Sequence, residues 1–330
     1  LLGDEVWVAT RPPAVAGQRQ CGSGDLARHS GEIVRLAQDT LTERGTSRQA
    51  GRCVTRLVPD PRGRGMLATY YEGDVLYLGL YGPAGEPITE RPLARVTDSD
   101  APLREASASF VTSSRTTVVV EYFQRLGDKS DDGVVYVVDT DTLRTEYAEF
   151  RTDPIRGVAW GRVGESVVVA NTNILVRLAV PSLAVLSTAV LPIFSQPLHP
   201  QVLDDGRVLT SDPKHAQGVI EVSGLLDGRE SARVRGVSRV STYPAVVTDV
   251  VVLRGEGDGE GLAMLLTSPD EGRTSFGGLA RVSLDTQLGV RVEPQVWRVV
   301  RADGTAVASA LTQPRWIREA GCGPLRPGRA

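Results

Sequence analysis

The sequence predicts an all-β protein, a β-propeller of six four-stranded blades. Three observations carry this. A hairpin-like unit recurs at steps of about 40 to 59 residues, a length that suits one four-stranded blade. The apolar runs are short, rich in Val and Leu, and bounded by Gly, Pro, Asn and Asp, as strands are. The helical stretches that an α/β fold would interleave with its strands are scarcely present.

The repeat is clearest in GVVYVVDTDTLRTE, which begins at Gly133. GEIVRLAQDTLTE, from Gly31, lies under it without a gap and sets Asp39-Thr40-Leu41 on Asp141-Thr142-Leu143. NILVRLAVPSLAVLSTAV, from Asn173, fits the same frame, with Leu183 on Leu143. Weaker copies begin at Asp74, Gly218 and Gly278. Each is an apolar run, a polar turn and a second run, which reads as a hairpin. The clustered acids of the Gly133 copy are therefore read as turn formers. Ala37 and Ala179 stand in place of Asp139 in other copies, and Pro181 in place of Asp141.

A turn and a strand precede each hairpin: GDEVWVAT, GRGMLATYY, RTTVVVEYF, GESVVVANT, DGRVLTSDP and VTDVVVLRG. A further strand begins near Cys53, Ala106, Gly157, Leu198 and Thr242. Each unit thus has strands A, B, C and D. The first lacks an A strand, so the segment Thr305 to Ile317 is expected to supply it and close the ring, which removes exposed edges. The chain then forms one domain, 1–330, with blades at 305–317 plus 1–45, 52–92, 105–150, 155–191, 197–235 and 241–300. Seven blades is the alternative, with PQVWRVVRADGTAVASALTQ forming one of its own. Asp25 to Arg44 has helical spacing, but its match to the Val-rich Gly133 copy favours strand. Trp7, Trp160 and Trp297 fall inside strand patterns and are expected in the core; Trp316 is expected at the closure seam.

Composition narrows the function. Aromatics make up 5% of the chain, so the core is built from Val, Leu, Ala and Ile. A net charge of −3 argues against a nucleic-acid partner. No run of apolar residues reaches the roughly 18 that a membrane span needs. All but two of the 37 basic residues, Lys129 and Lys214, are Arg, which reads as the codon bias of a GC-rich bacterium. The chain starts at Leu1 with no targeting segment, as a piece of a longer protein would.

The VVVANT strand (Val167 to Thr172) and the VYVVDTDTLR hairpin (Val135 to Arg144) resemble the YVTN-type β-propellers of bacterial surface and periplasmic proteins. Val6 to Thr10 and Ile33 to Leu41 are partial copies. The resemblance implies an extracytoplasmic propeller, in the periplasm or at the cell surface. That family includes binding modules, lactonase-like enzymes and propellers attached to haem domains. The expected function is a monomeric binding scaffold for a protein or small-molecule ligand, leaning away from an enzyme. A lactonase-like hydrolase with a site at the central channel is one alternative; a propeller module of a larger haem-containing redox protein is another.

In such a ring the B–C and D–A connections share one face, and the A–B and C–D turns share the other. The B–C loops vary most: Arg11 to Ser30, QRLGDKSDD, DPKHAQ and GEGDGEGLAMLLTSPDEGRTSFG are long, whereas EG and TN are minimal. Long loops on a rigid scaffold are where binding resides, so this face is the candidate ligand face. Its candidate residues are Arg11, Asp25, Arg28 and His29 in the first loop and Asp212, Lys214 and His215 in the fifth. The plainer reading is a set of solvated insertions. Asp128, Ser130 and Asp132, followed by Gly133, are spaced like the opening of a calcium loop, with Asp139 at the twelfth position. A strand from Val134 would carry Asp139 away, and a solvated hairpin loop is the alternative. No other cofactor is expected. Cys21 and Cys53 fall on one face by topology, where a disulfide would contribute roughly 3 kcal/mol by tethering the first loop. Three unrelated thiols is the alternative, and Cys322 stands apart. The GxGxxA of CGSGDLA does not follow a strand directly, and Pro213 opposes a helix at the SxxK of SDPK, so neither motif is assigned its usual chemistry.

Overall fold

The computed structural model describes residues 5–10, 31–37, 42–49, 51–94, 103–125, 127, 131–151, 154–191, 198–212, 218–228, 233–237, 246–254, 260–267, 277–284 and 290–292. These residues form six antiparallel sheets, each built from strands consecutive in the chain. The first has three strands, β1 (Glu5–Thr10), β2 (Gly31–Ala37) and β3 (Glu43–Gln49). The second comprises β4 (Arg52–Pro59), β5 (Met66–Glu72), β6 (Val75–Tyr81) and β7 (Pro87–Leu93). The third comprises β8 (Leu103–Thr112), β9 (Thr116–Arg125), β10 (Asp131–Asp139) and β11 (Thr145–Arg151). The fourth comprises β12 (Ile155–Arg162), β13 (Ser166–Asn171), β14 (Ile174–Ala179) and β15 (Val185–Val190). The fifth comprises β16 (Leu198–Val202), β17 (Val208–Asp212), β18 (Gly218–Ser223) and β19 (Arg233–Val237), and the sixth β20 (Val246–Arg254), β21 (Glu260–Thr267), β22 (Gly277–Leu284) and β23 (Val290–Val292). The first strands β4, β8, β12, β16 and β20 lie against one another in succession, and β1 lies against β4.

Successive members of the first five sheets bury a core layer between them, which explains the unbroken valine runs. Val118 and Val120 of β9 pack toward the fourth sheet, while Val119 packs toward the second. In β13, Val167 and Val169 face the third sheet and Val168 the fifth. A strand covered on both sides needs no polar alternation. Each such valine, fully buried, contributes on the order of 1.5–3 kcal/mol. Trp7 is buried in the layer between the first and second sheets, and Trp160 packs beside the layer between the third and fourth, with Nε1 donating to the Thr112 carbonyl at 3.1 Å.

The recurring DTL segment is the C–D turn. In the third sheet Leu143 N donates to Asp139 O, and Asp139 N to Arg144 O; in the fourth, Leu183 N donates to Ala179 O, and Ala179 N to Ala184 O. Leu143 and Leu183 have left-handed backbones (φ 55° and 56°) yet are buried, at 1% and 2% exposure. Burial of the leucine offsets a conformation that costs a non-glycine residue about 1–2 kcal/mol. The register shifts by one residue after this turn, at Val137/Val138 and Arg177/Leu178, and likewise at Arg35/Leu36 and Leu80/Tyr81.

Arginines tie each of the first four sheets to the C–D turn of the next. Arg35 NH1 donates to Pro83 O at 2.8 Å. Arg64 NH2 donates to Thr140 O at 3.0 Å, while Arg62 and Arg64 both pair with Asp141. Arg151 NH2 donates to Leu183 O at 3.3 Å, and Arg177 NH1 to Leu226 O at 2.6 Å. The guanidinium offers several donors in a fixed fork, so one side chain can hold a turn carbonyl and a second group together. Arg177 does this, with Nε bonded to Ser166 Oγ at 3.1 Å.

Some expectations are corrected. The first unit extends past residue 45, because β3 continues to Gln49. In the sixth unit, the segment read as strand B is the first strand, β20, and the second is β21. Leu262 to Leu266 belongs to β21 although it lacks alternation and lies between glycines, features that point to a loop. Thr305 to Ile317, Trp297 and Trp316 lie outside the described residues.

Candidate binding face

The B–C ends of the sheets are set by their hairpins. Two are tight: Gly73-Asp74 joins β5 to β6 and Thr172-Asn173 joins β13 to β14, with Gly73 and Asn173 at φ 59° and 60°. In the third sheet the connection is shorter than QRLGDKSDD implied. Gln124 and Arg125 continue β9, while Asp131 and Asp132 open β10, opposite Gln124 and Phe123.

Asp139, at the twelfth position of the calcium-like spacing, lies away from this loop. Asp132 and Asp139 stand near opposite ends of β10, about 23 Å apart at the rise of an extended strand. Asp139 caps the C–D turn instead, accepting from Thr142 N and Thr142 Oγ1, both at 2.7 Å. Those two hydrogen bonds, the hydroxyl's first, hold its carboxyl below the usual range. Asp139 therefore cannot close a site around Asp132. Asp128 and Ser130 lie outside the described residues, as do Arg11, Asp25, Arg28, His29, Lys214 and His215. Asp212 is the last residue of β17, opposite Gly218. Among the described residues, no three His, Cys, Asp or Glu gather as metal ligands. No described helix is long and apolar enough to cross a membrane.

Two clusters were not anticipated, one on this face and one running from it into the second sheet. The first spans the third and fourth sheets. Tyr122 Oη donates to Asp131 Oδ1 at 3.1 Å, and Arg156 NH2 lies 3.7 Å from Asp131 Oδ2. The Arg156 guanidinium also covers the Tyr122 ring, 4.6 Å from its centroid. The second surrounds Arg52, the first residue of β4. Its guanidinium grips the Glu90 carboxylate with two nitrogens and lies 4.7 Å from the Tyr70 ring centroid. Tyr70 stacks on Tyr77 at 5.2 Å. Tyr81 Oη donates to Glu90 Oε1 at 3.2 Å, and its ring runs back over Gly79, where a Cβ would meet it at 3.0 Å. Burial raises the Tyr70 hydroxyl well above its ordinary range; for Tyr81, burial and then the Glu90 charge do the same. Burial alone would lower Arg52, but the Glu90 hydrogen bond and the neighbouring Tyr and Glu90 charges outweigh it and hold the group cationic. The arginine and aromatic positions are visible in the sequence, but their partners lie up to 38 residues away, so no local spacing marks them.

Cys53, beside Arg52, is disulfide-bonded. Its partner lies outside the described residues, and the only other cysteines are Cys21 and Cys322.

No protein-family model matches the chain. No curated protein matches it either. Solved structures do. A protein of unknown function from Bacteroides caccae aligns with a TM-score of 0.54 at 12% identity, over 87% of this chain and 93% of its own. A candidate 6-phosphogluconolactonase from Bacteroides fragilis gives 0.53 at 12% identity, over 91% and 86%. One from Bacteroides uniformis gives 0.51 at 15% identity, over 91% and 87%. These neighbours are β-propellers, and at such identities the likeness establishes the fold and nothing finer.

Proposed function

We propose that the chain is an extracytoplasmic bacterial propeller of six blades that binds a protein or small-molecule ligand through its B–C face. Six sheets in chain order support the blade count, and the three strands of the first leave a place for Thr305 to Ile317 to complete the ring. The disulfide at Cys53 supports an oxidising compartment. One observation carries the binding reading. On the described part of this face, Asp131 is engaged by Arg156 and by the Tyr122 hydroxyl. Carboxylates so engaged are fixed in orientation and suit a rigid recognition surface better than proton transfer.

The test places a photo-crosslinking residue at Asp74 or Thr172, at the tips of B–C hairpins, or at Gly63 or Val163, in A–B turns, with the protein in its own cells. Adducts from the first pair are expected. Adducts from the second pair alone would refute this face. Turnover of lactones by the purified chain would replace the scaffold with a hydrolase. Haem bound to a domain beyond this chain would make it a redox module.

A further inference from the structure

The outer strands differ in how they guard their open edge. β3 carries Glu43, Arg44 and Arg48; β7 carries Pro87, Glu90, Arg91 and Pro92; β11 carries Glu146, Glu149 and Arg151. β19 has Arg233 and Arg235, and β23 has Arg291. Charges and prolines on an edge keep another chain from extending the ladder. β15 reads VLSTAV and has neither. Within its sheet it is hydrogen-bonded to β14 alone. Val185, Leu186 and Val190 are 55%, 46% and 70% exposed. Ser187 and Ala189 turn inward against the fifth sheet, with Ser187 Oγ donating to Leu225 O at 2.6 Å. Leu186, Thr188 and Val190 therefore share the other face of the strand.

We infer that β15 is a self-complementary edge through which two copies of this chain pair, antiparallel, about a twofold axis. A twofold perpendicular to the sheet sets residues of one face opposite each other. Centred on Thr188, it places Thr188 against its copy and Leu186 against Val190 twice. The exposed apolar groups then cover each other, and two four-stranded sheets run on as one. Charge selects this strand. The same operation about the middle of β3 would oppose Arg44 and Arg48, in β7 it would oppose Glu90 to itself, and in β19 Arg235 to itself. In β11 it would set Glu149 against Tyr147 and Glu146 against Phe150. At these central registers, β15 alone among the described outer strands meets its own copy with neither like charges nor a carboxylate facing a ring. The contact uses one patch on both chains, so it closes at a dimer. The monomer expected from the sequence becomes one side of a concentration-dependent equilibrium.

Sedimentation velocity over a range from about 1 to 300 µM tests this. The wild type is expected to shift from monomer to dimer. Leu186→Lys/Val190→Lys sets lysine against lysine and should weaken the dimer roughly tenfold or more. Leu186→Lys/Val190→Glu sets lysine against glutamate and should restore it, with a dependence on salt. Val163→Lys, an equally exposed apolar site in an A–B turn, should change nothing. A wild type that stays monomeric throughout overturns the inference and leaves β15 to an extended segment of some other protein. So does a dimer equally strong in all variants, or one that the Lys/Glu variant fails to restore. Unchanged melting temperatures certify that these surface variants fold.

Discussion

Arg35 on β2 and Arg177 on β14 occupy the same register position, each the last residue before the shift in its hairpin, and each donates to a carbonyl in the C–D turn of the following sheet. The repeat that aligns Val34 with Val176 and Leu36 with Leu178 also aligns these two arginines. They hold sheets together, so part of the arginine content read as codon bias has a structural role. Arg177→Ala removes bonds to both Leu226 O and Ser166 Oγ and is expected to destabilise by about 1–3 kcal/mol. Arg177→Lys should recover part of this, since one ammonium cannot reproduce the fork. Urea denaturation measures both, and an Arg177→Ala midpoint equal to wild type would show the bonds to be idle.

Glu121 is fully buried and accepts from Tyr71 Oη at 2.9 Å and Tyr136 Oη at 2.7 Å. Tyr71→Phe and Tyr136→Phe are each expected to cost about 1–2 kcal/mol, by leaving a carboxylate oxygen with one fewer donor. In Glu121→Leu the same tyrosine changes should cost much less. The double-mutant cycle reads this coupling directly. Equal costs in both backgrounds would mean the tyrosines act through packing alone.

Leu143 tests which force holds the C–D turn. Leu143→Gly loses a buried side chain but relieves the left-handed backbone; Leu143→Ala loses the side chain and keeps the strain. Both should destabilise, and Ala by about 1 kcal/mol more than Gly. Thermal unfolding gives the order, and Ala above Gly would contradict it.

The pH response follows from Tyr70 and Tyr81. Both hydroxyls are raised above their value of 10.0 in the folded chain, mainly by burial. The unfolded chain therefore ionises first as pH rises. Stability from these groups is complete below pH 10 and falls as pH climbs above it. Alkaline titration followed by near-ultraviolet absorbance should show the phenolates of these two residues appearing together with unfolding, and a Tyr70→Phe/Tyr81→Phe variant should resist alkali better. A smaller phenolate signal in the Tyr70→Phe/Tyr81→Phe variant than in the wild type, while both keep native circular dichroism, would disprove their burial.

Reduction of the Cys53 disulfide should lower stability by about 2–4 kcal/mol, and peptide mapping of the unreduced protein should identify Cys21 as the partner. A Cys53–Cys322 peptide would place the tether at the far end of the chain.

The sheets were legible in the sequence because each needs the same hairpin, and Asp139 to Leu143 had to serve as a turn wherever it recurred. β21 was not legible: Leu262 to Leu266 is apolar without a period, between glycines that read as loop. The face was legible as topology, but its clusters were not. Arg52 with Glu90, and Asp131 with Arg156, meet only after sheets have paired and stacked. Periodicity reports which side of a strand is covered; it carries no information about which distant charge arrives there.

The arginine contacts to the C–D turns run in one direction along the chain. Each donor is synthesised before its acceptor: Arg35 before Pro83, Arg64 before Thr140, Arg151 before Leu183, Arg177 before Leu226. Each unit is thus a link with a hook at one end and an eye at the other. A gene duplication or loss that adds or removes one whole link leaves every remaining hook facing an eye, so a chain of this kind can change its number of units without having to reinvent a joint.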